Sequence, residues 1–186
     1  MLTLPKADRF SARRWLVCLD LQREYVVPGR PRYSAAHSAV VMACRSVLQI
    51  ARAAGWRVVH SQTRSEDAGL SPREMFGAPI EGLRPLVTEP VFFRRGLSAF
   101  ANPAFASELR FARNAEVYLI GFSLADSCLA TALAAVDEGV SLTLVEDAVG
   151  AGAAEGAADA LLGVLRPLLR VMRSSELRES VLEVLS

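Results

Sequence analysis

The sequence predicts an α/β domain, a three-layer αβα sandwich built on a doubly wound sheet of six mostly parallel strands. Short apolar runs rich in Val, Leu and Ile recur along the chain, with longer Ala-rich segments of helical spacing between them. Strands covered on both faces by crossover helices read this way. The length, 186 residues with 52% hydrophobic and 22% charged, suits a single well-filled core. Residues 1–186 are therefore taken as one domain, with 1–12 as an N-terminal extension.

The elements follow in order. "RWLVCLDL" (14–21) is the first strand, a continuous apolar run broken by Asp20 near its end. "SAAHSAVVMACRSVLQIARAAG" (34–55) is a long helix, and its closing Gly55 suits a helix C-terminus. "WRVVHSQT" (56–63) is the second strand. Residues 64–89 show neither period, and long connections of this kind often carry function. "PVFFR" (90–94) is the third strand and "ANPAFASELRFAR" (101–113) a shorter helix. "AEVYLIGF" (115–122), the helix "SCLATALAAVDEG" (127–139) and "SLTLVED" (141–147) form the next strand–helix–strand unit. A small-residue loop leads into the helix of 153–169, then "LRVMR" (169–173) and a final helix, 174–185, with Ser174 or Ser175 as N-cap. Such an alternation is Rossmann-like, with no internal repeat.

Arginine and lysine total 21 against 20 acids, a net charge of +1. No long-range field favours nucleic acid or an anionic membrane. The chain begins without a signal-like apolar stretch, and no run approaches the roughly 20 residues of a membrane span. These features predict a cytoplasmic protein whose partner is a small-molecule substrate, neither nucleic acid nor membrane. Cys18, Cys44 and Cys128 are widely spaced with no CxxC pair, which fits reduced thiols. Lys6 is the only lysine.

In open α/β sheets ligands sit at the carboxyl ends of the strands. Asp20 ends the first strand, Arg94 the third, and the fourth leads into Ser127 and Cys128. Asp20 reads either as a strand-end acid capping a loop or as a general acid or base facing a cation. Of Arg94 and Arg95, alternation sends one into the pocket. Cys128 reads as a small buried hydrophobe or as a thiol activated at a helix N-terminus. Ser127 shares that position but needs a base, and Asp20 is the candidate. His37 and His60 read as structural. With no HExxH, no spaced His and Asp cluster and no glycine-rich phosphate loop, neither a metal nor a cofactor is expected.

Four segments together resemble a known family. They are "VCLDLQREYV", "IEGLRPLV", "RRGLSAFANPAFASELR" and "VYLIGFSLADSCLATALAAVDEGVSLTLVEDAVGA", spread from Trp15 to Met172. The chain is similar to the isochorismatase-like hydrolases, or cysteine hydrolase superfamily, which includes nicotinamidases, N-carbamoylsarcosine amidases and isochorismatases. The resemblance implies a catalytic set of Asp20, Arg94 and Ser127. It also implies a pocket drawn from Gln22, Tyr25, Phe100, Phe122, Ser123 and Cys128, a non-proline cis peptide at Phe122–Ser123, and a homodimer or homotetramer.

Two departures matter. Most members place cysteine six positions after the glycine and threonine ten after it; from Gly121 these are Ser127 and Thr131, with Cys128 one residue late. On an α-helix that offset turns the thiol by about 100°, toward the sheet or a neighbouring helix. The family's lysine is Arg94 here, which keeps the charge but cannot relay a proton. Isochorismatases lack the thiol at that position, and the resemblance implies that the acid at the Asp20 position protonates an enolpyruvyl carbon. The nicotinamidase branch often holds a metal, but "HSQTRSEDAGLSP" offers a single histidine and none is expected. Three readings follow: an Asp-centred, non-thiol hydrolase of a small polar enol ether, ester or amide; an amidase using Cys128; and a catalytically impaired relative that binds a metabolite or a protein partner.

Overall fold

A six-stranded sheet forms the centre of the molecule, in the order β3-β2-β1-β4-β5-β6. The strands are β1 (Arg14–Leu19), β2 (Arg57–Thr63), β3 (Val91–Arg94), β4 (Glu116–Phe122), β5 (Leu142–Gly150) and β6 (Arg170–Met172). Every pairing is parallel. The structure, a computed structural model, describes residues 14–63, 77–112, 114–151 and 155–185. The expected extension at 1–12 and residues 64–76 of the irregular segment lie outside the described residues. Helices α1 (His37–Ala53), α2 (Pro103–Phe111), α3 (Leu129–Asp137), α4 (Ala158–Leu165) and α5 (Ser174–Leu185) cover the two faces.

Strand alternation produces the layers. Trp15, Val17 and Leu19 of β1 and Val117 and Leu119 of β4 bury against Phe105 and Leu109 of α2, Ala132 and Ala135 of α3, and Leu165 of α4. The intervening Leu16, Cys18, Tyr118 and Ile120 bury against Val41, Cys44, Val47 and Leu48 of α1 and Leu177 of α5. The chain winds outward from β1 through β2 to β3, then returns to the centre and winds the other way from β4. Winding reverses between β1 and β4, so the crevice between their carboxyl ends is where such a sheet binds ligands.

Several boundaries shift for physical reasons. β1 stops at Leu19 because Asp20 adopts φ 43°, a left-handed conformation that cannot continue a strand. β5 runs past the expected Asp147 to Gly150, because Val149 and Gly150 pair with Gly121 and Phe122 after an irregularity in register. α2 starts at Pro103, where Asn102 Oδ1 accepts from the amides of Ala104 (2.9 Å) and Phe105 (3.1 Å). Neither Ser174 nor Ser175 is the expected N-cap, because α5 already begins at Ser174, whose hydroxyl donates to Asp147 Oδ2 at 2.6 Å. No helix among the described residues is long and apolar enough to cross a membrane.

A buried charged cluster ties α1 to the sheet and to the connection before β3. Glu89 accepts from Arg52 Nε and Nη2 (both 2.8 Å), from the Leu86 amide (2.9 Å) and pairs with His60 Nε2 (3.0 Å). Burial works against the Glu89 charge, but the bonds from Arg52, His60 and Leu86 outweigh it and lower its pKa from 4.5 to about 2. This stabilisation is complete above pH 4.5, where an unfolded glutamate is ionised, and is lost as pH falls toward 2. Acid unfolding of a Glu89→Gln variant, followed by circular dichroism, is expected to lose much of the fall in stability between those two values.

Candidate functional site

Asp20 lies at the switch point, fully buried, and its left-handed backbone turns the carboxylate away from the strand line. Its amide donates to Ser61 O at 3.0 Å, which keeps it registered to β2 although β1 has ended. β1 and β4 meet closely at this level: Leu19 pairs with Gly121, and a Cβ on Gly121 would lie 1.9 Å from Leu19 O. Only glycine fits there, at φ 129°.

Two neighbouring strand ends supply donors to the Asp20 carboxylate. From β2, the Thr63 amide reaches Oδ1 at 2.6 Å and the Thr63 hydroxyl reaches Oδ2 at 3.3 Å. From β3, Arg94 Nη1 reaches Oδ1 at 3.1 Å and Nη2 reaches Oδ2 at 2.5 Å. Neither side chain of this fork-to-fork pair is exposed. The guanidinium is itself held, with Nε donating to Leu97 O (3.0 Å) and Nη1 to Ser61 Oγ (3.3 Å). Arg95 next to it is exposed, so Arg94 is the member of the pair that turns inward.

Beyond β4 the peptide Phe122–Ser123 is cis, and residues Leu124–Cys128 form a π-turn before α3. The Cys128 amide donates to Ser123 O, five residues back, at 2.9 Å. Such wider turns recur at functional sites. Asp126 caps the turn: Oδ1 accepts from the Ser123 amide (3.2 Å), the Ser123 hydroxyl (2.7 Å) and the Ser127 amide. Burial disfavours the Asp126 charge, yet the bonds from Ser123 and Ser127 and the nearby Arg32 hold its carboxyl below the usual range. Thr131 Oγ1 accepts from the Ala99 amide at 2.9 Å, fixing α3 to the segment that follows Arg94.

The sequence-predicted residues fall into distinct places. Asp20 and Arg94 are in direct contact, and Ser127 is buried at the end of β4 on the same rim of the sheet. Cys128 is fully buried in the apolar cluster with Leu19, Leu124, Val149 and Ala132. Burial pushes its thiol well above the ordinary value, the charges of Asp20 and Asp126 push the same way, and Arg94 opposes them. Phe122 is buried and stacks on Tyr25, with ring centroids 4.8 Å apart and planes at 15°. Tyr25 is buried too; burial and the charge of Asp20 raise its phenol while Arg32 lowers it. Gln22 braces the connection, donating to Gly77 O at 3.0 Å and pairing with Pro79 across an isolated bridge. Phe100 packs edge-on against Phe105 at 5.4 Å. Ser123 is engaged with Asp126 as described.

Both histidines pack inside the protein. His37 Nδ1 donates to Tyr25 O at 2.8 Å and its Nε2 has no partner; His60 belongs to the Glu89 cluster. Among the described residues no three His, Cys, Asp or Glu side chains group as metal ligands. Sequence reasoning passed over Thr63, Asp126 and Arg32. Asp126 carried a signal, the Ser-x-x-Asp spacing of a capping box, whereas Arg32 lies in a stretch without period.

Comparison with known proteins agrees with this fold. The isochorismatase domain profile matches residues 14–176. A maleamate amidohydrolase from Pseudomonas putida is 27% identical over 157 residues, 76% of this chain and 74% of the relative. The crystal structure of an isochorismatase from Pseudomonas putida KT2440 superposes with a TM-score of 0.76 at 24% identity, covering 94% of this chain and 93% of that one. N-carbamoylsarcosine amidase from Thermoplasma acidophilum superposes with a TM-score of 0.70 at 22% identity, covering 87% and 96%. These two structures share the fold.

Cys18, Cys44 and Cys128 are all buried. Iodoacetamide at neutral pH is expected to label the folded protein about a hundredfold or more slower than the unfolded chain. Rapid, selective labelling of native Cys128, read by mass spectrometry, would contradict the burial described.

Proposed function

The chain belongs to the isochorismatase-like hydrolases, and from that premise we propose that it cleaves a small polar metabolite by a non-thiol route centred on Asp20. The observation that carries this reading is the buried Asp20–Arg94 pair at the switch point, beside a turn whose sulfur packs into the core. The bond broken is an amide, ester or enol ether; the maleamate amidohydrolase among its relatives supports the amide.

The roles follow from what each side chain can do. A guanidinium is a fixed positive charge, so Arg94 serves to orient Asp20 and stabilise developing negative charge. Proton movement at this pair therefore belongs to Asp20, acting on a water, on the Ser127 hydroxyl or on the substrate's leaving atom. Thr63 holds the Asp20 carboxylate in register through its amide and hydroxyl. Ser127 contributes a hydroxyl as pocket group or weak nucleophile. Cys128, buried and held in its thiol form, takes no part.

A second reading rests on the four donors, two from Thr63 and two from Arg94, aimed at the two Asp20 oxygens. A carboxylate so enclosed has to give up a donor before it takes a proton, which suits a catalytically impaired relative that binds a metabolite.

A panel of small amides, esters and enol ethers separates the readings. The wild-type protein is expected to turn over at least one class, Cys128→Ala to stay within about threefold of it, and Asp20→Asn to fall by about a hundredfold or more. Loss of turnover in Cys128→Ala would overturn the non-thiol route. No turnover, combined with a melting temperature raised by a metabolite, would favour the binding reading.

A further inference from the structure

Three donors of the turn after β4 converge on a single oxygen atom. Asp126 Oδ1 accepts from the Ser123 amide (3.2 Å), the Ser123 hydroxyl (2.7 Å) and the Ser127 amide. Backbone donors fixed in place and aimed at one position are the arrangement that holds the negative oxygen of a carbonyl under attack. Here the oxygen that fills it is the protein's own. Burial works against the Asp126 charge, but the bonds from Ser123 and Ser127 and the nearby Arg32 hold its carboxyl below the usual range, so it is an anion at neutral pH.

Two observations tie this contact to the site rather than to the scaffold. Ser127 is 2% exposed, and its hydroxyl has no hydrogen-bond partner among the described residues, which leaves a buried polar group open beside the filled amides. The turn is also closed by bonds that do not involve the Asp126 side chain: the amides of Asp126 (3.3 Å) and Cys128 (2.9 Å) both donate to Ser123 O. The carboxylate has a second partner as well. Arg32 Nη1 donates to Oδ2 at 3.3 Å and to Tyr25 Oη at 2.7 Å. A carboxylate that leaves the two amides keeps this cation beside it, and the amides take a substrate oxygen in exchange.

We propose that Asp126 is a built-in inhibitor of the Asp20 site: its carboxylate fills the two amides that would hold the oxygen of a substrate's reacting carbonyl, and turnover requires its displacement. This names a regulation of the hydrolytic site and rests on that reading for amides and esters, while the displacement itself is measured without turnover.

Formate, a carboxylate small enough to stand in for the side chain, is the probe. The full-length chain is followed by amide NMR and by hydrolysis of p-nitrophenyl acetate. In Asp126→Ala the Ser123 and Ser127 amide signals are expected to shift saturably with formate, and in the wild-type protein to stay in place. Hydrolysis is expected to rise by about tenfold or more in Asp126→Ala, and by less in Asp126→Asn, whose neutral oxygen competes for the same amides more weakly than a carboxylate. Formate is expected to reverse the gain in Asp126→Ala, and Asp20→Asn to abolish it. If Asp126→Ala does not fold, Asp126→Asn takes its place, because formate then has only a neutral oxygen to displace. Amide signals indifferent to formate in both variants overturn the proposal. Hydrolysis as fast in the wild type as in both variants sinks it alone; formate binding at these amides, with no hydrolysis by any of the three proteins, sinks the hydrolytic reading alone.

Discussion

The buried ion pair between Asp20 and Arg94 is the constraint around which the rest of this molecule is arranged. Neither side chain reaches solvent, and taking two such charges out of water is costly unless geometry and additional hydrogen bonds compensate. Compensation comes from three strand ends at once. β1 places Asp20 through a left-handed residue, β2 contributes Thr63 and Ser61, and β3 contributes Arg94, whose Nε is satisfied by Leu97 O. The close approach of Leu19 to Gly121 brings the end of β4 to the same place, and with it the turn carrying Ser127. A sheet wound the other way, or with β1 at an edge, could not gather these groups.

That pair was legible in the sequence because strand ends are legible. An apolar run that stops at an acid, and another that stops at an arginine, become neighbours once a doubly wound sheet is assumed, and the strand order realises that assumption. The all-parallel sheet and the five described helices lie close to where periodicity put them. Side chains whose positions depend on turn geometry were harder to read. Nothing in "SLADSC" distinguishes a π-turn from the first turn of an α-helix, so the register of Ser127 and Cys128 had to come from the structure. The last residues of β5 looked like loop because Ala and Gly carry little strand preference; their place is set by pairing with Gly121 and Phe122. Arg32 had no local signal, since its contacts lie in residues 7, 8 and 94 positions away.

Charge and proton transfer are separable in this site, and the separation shapes its chemistry. A lysine beside Asp20 would offer both, whereas Arg94 offers only a fixed field and a rigid fork. The thiol one residue past Ser127 has lost solvent and gained two carboxylates as electrostatic neighbours, each of which disfavours a thiolate. The remaining polar groups at the rim are Asp20, Thr63, Ser127 and the Asp126–Arg32 bridge. The proposed non-thiol reading assigns them water or hydroxyl chemistry on a small substrate.

The strength of the Asp20–Arg94 coupling is the most direct measure of this account. A double-mutant cycle with Asp20→Asn, Arg94→Met and the two combined, read by urea denaturation, isolates it. Arg94→Met leaves a buried carboxylate unpaired and is expected to cost about 3–5 kcal/mol. The combined variant is expected to be more stable than the sum of the single losses implies, with a coupling of about 2 kcal/mol or more. Additive losses would show that the two groups do not depend on one another, and the site as described here would not stand.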